Sequence, residues 1–228
     1  MEENNMELYK DKKSLNRRNE TAYKKYLKEI ASFIKEYRSN ERYLKNVLLK
    51  GIEAAREHKA NHLMCDRKLS DSDRITEKRI CRCMFYYNKD ADKCRGCKQV
   101  QKWRNIGTLS IDDYEYPTDH VIPRVGGMDL ILGNKYACEV KPQNSNETLT
   151  RMFAEILTYT QDCKEKYKPA ICFFPGSKQM KDYIKYKDNE DFKYISTFIE
   201  IFFFNIVNKK GSLIEFEIKP IKMFKEFI

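Results

Sequence analysis

The chain lacks any apolar run long enough to cross a bilayer. The longest, Ile201–Phe204 with its neighbours, falls far short of the ~20 residues that a membrane helix needs. Met1–Lys13 is polar and mixed in charge, without the apolar centre of a signal peptide. The chain also has no internal repeat and no low-complexity segment. A soluble intracellular, cytoplasmic protein with no membrane partner is therefore expected. What is present argues for order: hydrophobic residues make up 41% and aromatics 13% of the 228 positions, enough for a packed core. That length suits one large domain or a core with an appended module.

Acidic excess is missing from the first half. Residues 1–104 hold 27 Lys and Arg against 16 Asp and Glu, a balance of +11, whereas residues 105–228 hold 17 against 18. A lysine-rich chain can simply be well solvated, so charge alone decides nothing. The asymmetry nevertheless suits a segment that grips nucleic acid, joined to an acidic site.

The most informative stretch runs from Gly126 to Gln161. Gly126-Gly127-Met128-Asp129-Leu130-Ile131-Leu132 and Tyr136-Ala137-Cys138-Glu139-Val140-Lys141 read as two strands, followed by a helix containing Arg151, Glu155 and Tyr159. Side chains alternate along a strand, so Glu139 and Lys141 must share a face. The turn decides whether Asp129 joins them. A two-residue turn at Gly133-Asn134 would pair Asp129 with Cys138 and send Glu139 to the opposite face. A three-residue turn, Gly133-Asn134-Lys135, pairs Leu132 with Tyr136 and Asp129 with Glu139. Gly and Asn tolerate the left-handed backbone that such a loop uses, so the three-residue loop or an equivalent bulge is expected. Asp129, Ile131, Ala137, Glu139 and Lys141 then form one face. Leu130, Leu132, Tyr136, Cys138 and Val140 form the other, apolar enough to pack on a helix.

This Asp–x–Glu-x-Lys arrangement resembles the PD-(D/E)xK nuclease superfamily, although Met128 stands where the eponymous proline would be. The resemblance implies a restriction-endonuclease-like α/β core, a mixed sheet flanked by helices, and hydrolysis of phosphodiester bonds. It implies Mg²⁺ (or Mn²⁺) held by Asp129, Glu139 and the backbone carbonyl of Val140, with Lys141 assisting the nucleophile. Hard carboxylate oxygens suit Mg²⁺, and a metal there can activate water and offset phosphate charge. Arg151, Glu155 and Tyr159 are four apart and share a helix face. Glu155-x3-Tyr159 looks like the Gln-x3-Tyr motif of the RecB-like branch, with Glu in place of Gln. Arg151 and Tyr159 would then contact substrate and Glu155 would orient the lysine or water. The plain alternative is that Arg151 and Glu155 are an ordinary salt-bridge pair. In such nucleases an earlier helix often supplies another acid; Glu53 and Glu57 are candidates, neither favoured.

Upstream, residues 16–38 carry Tyr23, Tyr26, Leu27, Ile30, Phe33, Ile34 and Tyr37 at helical spacing. Ser39-Asn40 breaks this helix, and a second stripe at Tyr43, Leu44, Val47, Leu48, Ile52 and Ala55 suggests a helical hairpin over residues 1–60. Residues 61–104 are rich in cysteine: His58, His62 and Cys65 precede Cys81-x-Cys83 and Cys94-x2-Cys97. Clustered cysteines inside a cell more often bind metal than form disulfides. Cys81, Cys83, Cys94 and Cys97 could close a Zn²⁺ knuckle, with His62 or Cys65 substituting for one of the first pair. The resemblance to RecB-like members, some of which carry four cysteines, also implies an iron–sulfur cluster as an option. Those cysteines usually bracket the core, whereas these all precede it, so zinc is preferred, and free thiols are the bland alternative.

Residues 105–228 make the expected core. Trp103–Asp119 reads as a linker, its Asp112, Asp113 and Glu115 as an exposed loop, and His120 as structural. A strand is expected over about Val125–Leu132 and a helix over Glu147–Lys164. A buried strand at Ala170–Phe174, two helices to about Phe198, and strands Ile199–Val207 and Leu213–Ile218 complete the order. The expected activity is that of a Mg²⁺-dependent endonuclease on DNA in restriction, repair or recombination, or phage defence. The alternative is a zinc-dependent nucleic-acid-binding protein on a core that does not cleave. Cutting both strands would favour a homodimer, since one such site cuts one strand.

Overall fold

A computed structural model describes residues 18–38, 77–89, 102–116, 128–160 and 167–224. The architecture is α/β: one seven-stranded mixed sheet with helices on both faces. The strands are β1 (Lys102–Asn105), β2 (Ile111–Tyr116), β3 (Met128–Leu132), β4 (Tyr136–Lys141), β5 (Lys168–Phe173), β6 (Glu200–Lys210) and β7 (Leu213–Pro220). The described helices are α1 (Glu20–Arg38), α2 (Glu77–Lys89), α3 (Leu149–Thr160), α4 (Lys178–Tyr186) and α5 (Glu190–Phe198). Spatial order across the sheet is β1-β7-β6-β5-β4-β3-β2. The β2–β3, β3–β4 and β6–β7 pairs are antiparallel; β4–β5, β5–β6 and β1–β7 are parallel. Parallel neighbours need a crossover, which α3 supplies between β4 and β5, and α4 with α5 between β5 and β6.

The β3–β4 hairpin has the three-residue connection. Leu132 pairs with Tyr136, Ile131 with Ala137 and Leu130 with Cys138. Gly133 and Asn134 both take left-handed φ, 58° and 49°, and Lys135 N–H closes the turn on Leu132 C=O at 3.0 Å. The side-chain parity follows from that register. Ile131 and Ala137 enter the core under α1, α3, α4 and α5, while Leu130, Leu132, Cys138 and Val140 enter the core under α2. Asn19, Ser177 and Asn189 cap α1, α4 and α5 by accepting from the amides of Ala22, Met180 and Phe192 at 2.8, 3.1 and 3.1 Å.

Three expectations are corrected here. Trp103–Asp119 is not simply a linker: it contributes β1 and β2, the two edge strands. The acidic patch is not an exposed loop, since β2 pairs with β3 and Asp113 is buried. Asp112 braces the hairpin, its Oδ2 accepting Asn134 N–H at 2.6 Å. The Cys-x-Cys pair lies within α2 rather than in a knuckle. Residues two apart on a helix point about 200° apart, so the two sulfurs diverge. Cys81 is fully buried among Ile80, Met84 and Phe85 in the apolar core, and burial pushes its thiol well above the usual range. Cys94, Cys97, His62, Cys65, the second helix of the expected hairpin, Glu53, Glu57 and His120 lie outside the described residues.

Candidate metal centre

Glu139 and Lys141 are buried near the end of β4, with Asp129 beside them on β3 (2, 4 and 7% exposed). Asp129 Oδ2 accepts the Val140 N–H at 2.7 Å, which fixes the carboxylate against the neighbouring strand. Glu77, the first residue of α2, reaches the same point. Carboxylate oxygens of Glu77, Asp129 and Glu139 lie within 4.8 Å of one another, close enough to share one cation. Sequence reasoning missed Glu77. The helical spacing of Ile80, Cys81, Met84 and Phe85 carried the signal, masked by reading those cysteines as a knuckle.

Four carboxylates surround the Lys141 ammonium. Nζ is 2.5 Å from Glu139 Oε1, 3.0 Å from Glu77 Oε2, 3.0 Å from Glu147 Oε2 and 3.3 Å from Glu155 Oε2. Glu147 comes from the loop before α3 and Glu155 from the middle of that helix, and Arg151 ties them together. Its Nε donates to Glu155 Oε1 at 2.9 Å, and one terminal nitrogen lies 3.0 Å from Glu147 Oε1. Arg151 is therefore engaged with these acids, as in the salt-bridge alternative. Glu155 does reach the lysine. Tyr159, one turn along, is buried in the helical-face core, where its ring serves packing. Glu147 was not foreseen as a site residue. It sits before α3, on a loop held by Arg18, which donates to the Asn146 and Glu147 carbonyls at 2.7 and 2.8 Å.

The electrostatics are lopsided. Among the described residues, Glu77, Asp129, Glu139, Glu147 and Glu155 gather around Lys141 and Arg151, five carboxylates against two cations. Burial, together with the other carboxylates, pushes Asp129 and Glu139 well above the usual carboxylate range. Burial also raises Glu77, against the pull of Lys141. For Glu155 the cost of burial is outweighed by Lys141 and Arg151, and its carboxyl is lowered. Burial disfavours the Lys141 ammonium, but Glu139, Glu77, Glu155 and Asp129 outweigh it and hold the group charged. Glu139 Oε2 is buried and accepts no hydrogen bond among the described residues. An unpartnered buried carboxylate oxygen and an all-oxygen donor set, with more carboxylates than cations among the described residues, fit a hard divalent cation such as Mg²⁺. Val140 contributes its N–H to this arrangement.

No family model, curated protein or solved structure matches the chain. Among the described residues no helix is long and apolar enough to cross a membrane.

Proposed function

We propose that the chain is a Mg²⁺-dependent nuclease that hydrolyses phosphodiester bonds, DNA being the preferred substrate class, on a restriction-endonuclease-like core. The carrying observation is the convergence of Glu77, Asp129 and Glu139 beside the buried ammonium of Lys141. These three acids would hold the metal, which when bound supplies an activated water and stabilises charge developing on the phosphate. Lys141 supplies a positive charge next to that position. Glu155 and Glu147 orient the lysine, and Arg151 in turn orients them. The balance of +11 in residues 1–104 supports an anionic polymer as substrate.

The test is cleavage of supercoiled plasmid, single-stranded DNA and RNA with Mg²⁺, Mn²⁺ or EDTA. Wild type is run beside Asp129→Ala and Lys141→Ala. Metal-dependent cutting lost in both variants supports the reading, and nicked against linear product separates a monomeric from a dimeric enzyme. Equal behaviour of wild type and variants refutes it and returns weight to a binding protein that does not cleave.

A further inference from the structure

We propose that Lys141 competes with the divalent cation for its own ligands, occupying Glu77 and Glu139 without metal and withdrawing onto Glu147 and Glu155 when metal enters. The proposal rests on the metal-binding reading above. Its basis is shared partners: Glu77 and Glu139 belong both to the three-acid cluster and to the shell of the Lys141 ammonium. An ammonium has three donors, yet four carboxylates lie within 3.3 Å of Nζ. One more acceptor is present than the group can bond, so exchange of partners needs no large movement.

The four acids divide into two pairs. Glu77 and Glu139 face Asp129, whereas Glu147 and Glu155 have their Oε1 atoms held by Arg151 and their Oε2 atoms turned to the lysine. The second pair is a prepared berth for the displaced ammonium. Asp129, whose Oδ2 is held by the Val140 amide, and Glu139 Oε2, which accepts no hydrogen bond among the described residues, complete the ligand set with Glu77. A dication and an ammonium sharing two carboxylates repel one another. The lysine therefore weakens metal binding, yet on Glu147 and Glu155 it stays beside the bound metal.

Calorimetric Mn²⁺ titration of the full chain tests this, comparing wild type, Lys141→Met and Lys141→Arg. Lys141→Met is expected to bind Mn²⁺ about tenfold tighter or more, from removal of one adjacent positive charge. Lys141→Arg, which keeps that charge, is expected not to tighten. Equal or weaker binding by Lys141→Met overturns the proposal while leaving the metal site standing. No saturable Mn²⁺ binding in either wild type or Lys141→Met overturns the metal-binding reading itself, and the proposal with it. Because Lys141→Met strands four carboxylates and can compromise folding, a second measurement uses wild type alone. The caged ammonium is followed in ¹H–¹⁵N lysine spectra, assigned by its absence from Lys141→Arg. Saturating Mg²⁺ is expected to shift or abolish that signal, and an unchanged signal at saturation overturns the exchange of partners.

Discussion

Replacing Asp129 with Asn should stabilise the metal-free protein and remove its response to metal. Asp129 lies with oxygens of Glu77 and Glu139 inside a 4.8 Å cluster. At that spacing, and an effective dielectric near 20, two like charges repel by about 3 kcal/mol. Lys141 offsets part of this and partial protonation of the acids removes more, leaving a gain of about 1–2 kcal/mol for the neutral side chain. The fold should tolerate the change, because the Asn carbonyl can take over the Val140 N–H that Asp129 Oδ2 now accepts. For a chain of this size the gain corresponds to a midpoint higher by about 2–8 °C in EDTA. Saturating Mg²⁺ at a hundredfold excess over its Kd should then stabilise wild type by about 2.7 kcal/mol, and the variant by much less. The order of the two melting curves reverses between EDTA and Mg²⁺. Calorimetry in both conditions at neutral pH reads this directly. A variant less stable than wild type in EDTA, or one gaining as much from Mg²⁺, would refute the reasoning.

Other outcomes follow from the same geometry. Burial raises Asp129, Glu139 and Glu77, so the folded state holds protons that the unfolded chain has released. That contribution is present below the unfolded carboxyl pKa and lost as pH rises through the folded values. The metal-free midpoint should fall as pH rises above about 5, less steeply in Asp129→Asn. Gly133→Ala, at φ 58° with its added methyl 2.8 Å from Leu109, should cost about 1–2 kcal/mol in a denaturant titration. Cys81→Ser puts a hydroxyl into the apolar core beneath α2 and should cost about 1–3 kcal/mol by thermal melt. Unchanged zinc content in the purified Cys81→Ser variant would separate that loss from loss of a metal ligand. Arg18→Met removes the donors to the Asn146 and Glu147 carbonyls and the 3.4 Å partner of Asp182. It should lower stability by about 1–3 kcal/mol and weaken Mn²⁺ binding by loosening Glu147, both readable by titration.

Local features of the chain determined the hairpin. Loop length together with a strand period of two set the pairing of Leu132 with Tyr136, the split of the two faces, and Glu139 beside Lys141. The order of elements from β3 to β7 was equally legible, because each carries its own periodicity or apolar run. The edge strands were not. β1 has four residues and, among the described residues, pairs only with distant β7, and β2 reads Ile-Asp-Asp-Tyr-Glu-Tyr, as acidic as a loop. Charge on an edge strand discourages further pairing, which is why such a strand resembles a loop in sequence. Only tertiary structure decided which acids complete the site. Glu77 stands 64 positions from Lys141 and meets it because α2 packs its Ile80–Met84 face across the sheet. Alternation along a strand is fixed by backbone geometry and can be read locally. The convergence of five carboxylates on one ammonium and one guanidinium depends on how two helices dock against opposite faces of that strand, which no local pattern encodes.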